Sequence, residues 1–142
     1  MIRSISEWQR EVYANAKAHG FHDGASPEAS IWKALGNIHS EISEAWHEAR
    51  RPDFNPRVVV RDSSRVVWPE ASRAVAGSDD LEDAIKQAAA GRKPEGFAIE
   101  LADAAIRLFD TAEMFGIDLE AAIAIKHAFN QQRPFRHGDL RA

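Results

Sequence analysis

The chain has no cysteine among its 142 residues. A disulfide framework and a thiolate-bound metal are therefore excluded, which fits a cytoplasmic protein. No run of residues approaches the roughly 18 consecutive apolar positions of a membrane-spanning helix. The opening segment, residues 1–13, carries charges where a signal peptide would have its apolar stretch. Neither a membrane partner nor secretion is expected. Basic charge is also in deficit, with 18 Lys and Arg against 22 Asp and Glu and a formal net charge of -4. A protein that binds nucleic acid duplexes normally carries a basic footprint, so no nucleic acid is expected as a partner. A small anionic substrate remains compatible, because a bound metal reverses the local charge. There is no internal repeat and no low-complexity segment.

What is present reads as helix. Hydrophobic residues make up 44% of the chain, enough for a core in a single domain spanning 1–142. Ser4 and Glu7 have the spacing of a capping box, and Ile5, Trp8, Val12 and Ala16 follow at helical intervals up to Gly20. Ser26-Pro27 is a strong helix start, and Pro52 a stop. Between them the apolar stripe is Ile31, Leu35, Ile38, Ile42, Ala45 and Ala49. The segment from Phe97 to Phe115 is apolar on nearly every side, so it is expected to lie deep. Gly116 closes it, and Asp118 can cap a last helix running to about Gln132. The tail from Phe135 onward reads as irregular. The fold class is all-α, a bundle of four main helices with an inserted segment at about 51–92. In that insertion, Arg57–Val60 and Arg65–Trp68 are β-branched runs compatible with a small hairpin or an ordered loop. Asp79–Glu82 starts a short helix ending at Gly91.

Two acidic pairs carry the chemistry. Glu41 and Glu44 are three residues apart, hence on one helix face, and Glu48 extends their row. Glu100 and Asp103 repeat the spacing inside the most apolar helix. Hard divalent cations such as Mg²⁺ take oxygen ligands, so two such pairs on facing helices would form a cage. The competing reading of the first pair is a solvated helix face. For the second it is an ion pair between Asp103 and Arg107, four residues on. A buried carboxylate without a partner is costly, which makes the second pair the more telling. Near the C-terminus Lys126, Asn130 and Arg133 share one helix face, with Arg136 and His137 beyond. Lys and Arg suit phosphate, and Asn suits a base edge or sugar. A basic helix C-terminus is the plainer alternative.

The segments Ile38–Ala45, Lys93–Ala104 and Gly116–Gly138 resemble the MazG-like all-α nucleoside triphosphate pyrophosphohydrolases, over about half the chain. That family pairs an ExxE on one helix with an ExxD on the next. The matching positions are Glu41-Ile-Ser-Glu44 and Glu100-Leu-Ala-Asp103. Two features depart from the family pattern. The motifs are separated by 55 residues, 45 to 99, where the family has a short connector, and Ser40 stands where many members carry a further Glu.

The resemblance implies Mg²⁺-dependent hydrolysis of an NTP or dNTP to the monophosphate and pyrophosphate, with Mn²⁺ as a substitute metal. It implies Glu41, Glu44, Glu100 and Asp103 as metal ligands, and Glu41 and Glu44 as the catalytic carboxylates, Glu41 orienting the attacking water. Lys126 and Arg133 would hold phosphate and Asn130 the base or sugar. Trp8, Trp32 and Trp46 are candidates to stack on the base, although helix aromatics more often serve a core. A homodimer or homotetramer is the implied assembly. The alternative is a non-catalytic helical protein that binds nucleotides or acts as a dimerising scaffold.

Overall fold

The computed structural model describes residues 3–24, 26–61, 64–67 and 93–134. Four helices dominate them: α1 (Ile5–Ala18), α2 (Pro27–Ala49), α3 (Phe97–Met114) and α4 (Leu119–Gln131). The fold is all-α, as the periodicity predicts. None of these helices is long and apolar enough to cross a membrane.

The helix ends follow local chemistry. Ser4 Oγ accepts from the Glu7 amide at 3.2 Å and the Ser4 amide donates to Glu7 Oε2 at 2.6 Å, completing the capping box. The Glu7 carboxyl is held below its ordinary pKa, first by the hydrogen bond it accepts from the Ser4 amide and next by the Ser4 side chain. Asp118 caps α4 by accepting from the Ala121 amide at 2.9 Å. Past α3 the Gly116 amide bonds to the Glu113 carbonyl and the Ile117 amide to the Ala112 carbonyl. This paired return needs a left-handed residue, and Gly116 supplies it at φ +64°.

The insertion contains a hairpin. Strand β1 (Val58–Arg61) pairs antiparallel with β2 (Ser64–Val67), Val58 opposite Val67 and Arg61 opposite Ser64. A two-residue strand, β3 (Pro94–Glu95), adds to the other edge of β1, with Val60 opposite Glu95. The expected short helix at 79–91, the tail from 135 and the residues Arg136 and His137 lie outside the described residues.

The chain forms two compact units, one of Glu28–Leu108 with the first two residues, the other of Arg3–Pro27 with Phe109–Ala142. The first holds most of α2, the hairpin and the first part of α3. Its helices bury the faces of their apolar stripes only in part, with Ile31, Ile38 and Ala49 of α2 half-buried. On α2, Glu41 and Ala45 are buried while Leu35 and Ile42 are exposed. On α3 the expectation of a deep helix fails for the single chain. Only Glu100, Ala104 and Ala112 are buried, and Leu101, Ile106 and Leu108 face outward. Four helices in one short chain offer too few neighbours to cover a helix that is apolar all round.

In the second unit the buried residue of α1 is Gln9 rather than Trp8. Its side-chain amide donates to the Ile117 carbonyl at 2.8 Å and to Glu113 Oε2 at 3.2 Å, and its oxygen accepts from the Leu119 amide at 3.1 Å. One side chain thus satisfies the turn joining α3 to α4. His22 Nε2 meets Asp110 Oδ1 at 2.8 Å, fixing the loop after α1 on α3. Gln9→Leu keeps the volume but strips the turn of its partners. It should lower the unfolding free energy by about 2–3 kcal/mol, the cost of leaving buried polar groups unpaired. A urea melt of wild type and variant measures this, and an unchanged midpoint would mean that water replaces the amide freely.

Candidate metal centre

Three of the four predicted carboxylates converge in the first unit. Glu41 and Glu44 come from α2, and Glu100 comes from the first turn of α3. One oxygen of each lies within 4.8 Å of the others. Mg²⁺ takes carboxylate oxygens at about 2.0–2.1 Å, so these three residues are the ones that would hold a cation here. Asp103, one turn after Glu100, is not part of that triad but is half-buried beside it.

The electrostatics are those of a site crowded with one sign of charge. Burial pushes the Glu100 carboxyl above its ordinary pKa, and the charges of Glu44, Asp103 and Glu41 push it further. Burial likewise raises Asp103, followed by the charge of Glu41, while Lys93 and Arg107 pull it back. Glu100 is the more demanding case. It is 8% exposed, and among the described residues its carboxylate has neither hydrogen-bond nor salt-bridge partner. An unpaired carboxylate in that setting is costly unless a cation compensates it. Three oxygen donors, two of them from buried residues, also match the hard-ligand preference of Mg²⁺ and Mn²⁺. The donor set therefore fits a divalent cation.

The surrounding residues sort the competing readings of the sequence. Glu41 is 7% exposed and takes a hydrogen bond from Arg107 Nε, so it is no solvated surface acid. Glu44 is exposed, and Ser40 donates to it at 3.2 Å. Ser40 thus orients the Glu44 carboxylate. Glu48 turns away into a surface pair with Arg51. Sequence reasoning missed Arg107 as a partner of Glu41, because that contact joins two helices across 66 positions. It also missed Lys93, whose charge acts on both Glu100 and Asp103.

The predicted substrate donors belong to the second unit. Lys126 and Asn130 line an open groove on α4 of about 400 Å³, together with Leu119, Ala122, Ile123 and His127. Lys126 and Arg133 also flank the Phe129 ring, at 5.1 and 6.0 Å from its centroid. The three candidate tryptophans are exposed, so none serves as core in the single chain: Trp32 is 79% and Trp46 64% exposed, with Trp8 less so.

Comparison with known proteins adds no relative: no family model, curated protein or solved structure matches the chain.

Proposed function

We propose that the chain is a Mg²⁺-dependent nucleoside triphosphate pyrophosphohydrolase of the MazG-like kind, cleaving an NTP or dNTP to the monophosphate and pyrophosphate. The observation that carries the reading is the buried Glu100, without a hydrogen-bond or salt-bridge partner among the described residues, beside Glu41 and Glu44. Glu41, Glu44, Glu100 and Asp103 would hold the cation. When bound, Mg²⁺ neutralises phosphate charge and lowers the pKa of a water, and Mn²⁺ is the expected substitute. Glu41 and Glu44 are the candidate catalytic carboxylates, and Glu41 would orient that water for attack. Lys126 and Arg133 are the candidates to hold phosphate oxygens, and Asn130 to meet the base or sugar. A cytoplasmic location suits a nucleotide substrate.

The test is a panel of NTPs and dNTPs with and without Mg²⁺. The reading requires equal yields of monophosphate and pyrophosphate, abolished by chelation. Release of orthophosphate instead, or no turnover of any nucleotide, would count against it. Nucleotide binding without turnover would favour a nucleotide-binding scaffold.

The surface supports a homodimer or homotetramer. Among the described residues no large side chain is fully buried, while Leu101, Ile106 and Leu108 of α3 and Trp32 and Trp46 of α2 are all exposed. Large apolar side chains left exposed in this number are what an association surface would bury. Light scattering at micromolar concentration should give the mass of two or four chains, and a monomer would contradict the assembly.

A further inference from the structure

We infer that Arg107 is the resident counter-cation of Glu41, which a divalent cation displaces and which then grips substrate phosphate. This rests on the reading of the acidic triad as a metal site. Arg107 stands on α3 one turn beyond Asp103, and its Nε donates to Glu41 Oε1. The pair is lopsided: the Glu41 side chain is 9% exposed and that of Arg107 44%. The guanidinium therefore reaches in from the rim while the acid sits within. A divalent cation held by Glu41 would compete with Arg107 for the Glu41 carboxylate and repel the guanidinium charge. A long, half-exposed side chain can yield that position without moving the backbone.

A guanidinium displaced from Glu41 would stay close to the acidic cluster, on α3 one turn beyond Asp103. Its planar fork matches phosphate oxygens bidentately, which an ammonium cannot do. Arg107 thus offers the centre a phosphate donor of its own, additional to Lys126 and Arg133 on α4. One side chain then has two uses: it offsets buried charge in the metal-free protein and binds the anion once the metal has arrived.

Calorimetric titration of the full chain with Mn²⁺, then with inorganic triphosphate in the presence of Mn²⁺, tests this on wild type, Arg107→Gln and Arg107→Lys. Arg107→Gln should bind Mn²⁺ about tenfold more tightly, because the competitor of one charge-assisted hydrogen bond is gone. It should bind triphosphate about tenfold more weakly. Its metal-free melting temperature should fall, and its rise on adding Mn²⁺ should exceed that of wild type. Arg107→Lys should keep near-wild-type Mn²⁺ affinity and still lose triphosphate affinity, because it keeps the charge and loses the fork. Unchanged or weaker Mn²⁺ binding by Arg107→Gln would make the arginine a simple structural partner of Glu41 and overturn the exchange. Unchanged triphosphate affinity in Arg107→Lys would overturn the phosphate role, even if the Gln variant does not fold. Absence of Mn²⁺ binding to wild type would overturn the metal reading and the inference with it.

Discussion

Glu100→Gln should reduce Mg²⁺-dependent pyrophosphate release by about a thousandfold or more while leaving the metal-free protein as stable as wild type, or more stable. The two effects have one cause. The Glu100 carboxylate is buried, lacks a hydrogen-bond partner among the described residues, and is repelled by Glu44, Asp103 and Glu41. Glutamine keeps the shape and removes the charge, so the metal-free fold loses a liability. The same change removes a metal ligand. Metal-borne charge stabilisation contributes several kcal/mol to the barrier, and about 1.4 kcal/mol is tenfold in rate, so a loss of three orders of magnitude is the natural scale. Asp103→Asn should act in the same direction, because burial and the Glu41 charge raise that carboxyl as well. A purely structural cluster gives the opposite pattern. There Asp103→Asn would break an ion pair with Arg107 and lower stability by about 3–5 kcal/mol. Thermal melts of both variants without metal, paired with turnover assays, separate the two cases.

Magnesium should stabilise the wild type more near pH 8 than near pH 5. Glu100 and Asp103 both have folded-state pKa values above their ordinary ones. As pH rises from the ordinary carboxylate range, the unfolded chain releases these protons first and the folded chain holds them longer. The favourable contribution of these groups, full at low pH, is therefore lost as pH climbs through the raised values. Above that window the metal-free protein carries the whole cost of crowded negative charge. A cation binds only the deprotonated ligands and relieves that cost, so its effect grows over the same window. Metal at about a hundred times its dissociation constant contributes about 2.7 kcal/mol. For a chain of this size that is a rise in melting temperature of about 8–10 °C at pH 8. Melting curves with Mg²⁺ and with chelator at both pH values measure it, and equal shifts at pH 5 and pH 8 would contradict it.

The parts of this structure legible in the sequence are those decided within a few residues. The Ser4–Glu7 box, the Asp118 cap and the Gly116 turn are set by side chains bonding to their own neighbourhood, and each stands where the pattern puts it. The i, i+3 acidic pairs were legible for the same reason, since helical geometry alone puts each pair on one face. The choice of which face turns inward was not legible, because it depends on the partner helix. Glu41 is buried and Ile42 is not, and Arg107 supplies the contact that comes with that choice. Gln9 escaped notice because a polar residue in an amphipathic helix normally marks the wet side, whereas here the turn from Ala112 to Leu119 needs a donor and an acceptor at one point. The exposure of Leu101, Ile106 and Leu108 is invisible to periodicity, which records how apolar a face is and not whether one chain can cover it.

The most direct test of the metal centre is anomalous diffraction from crystals grown with saturating Mn²⁺. A peak within about 2.0–2.6 Å of carboxylate oxygens of Glu41, Glu44 and Glu100 is the expected result. A triad free of anomalous density at saturating Mn²⁺, with Arg107 still bonded to Glu41, would contradict it.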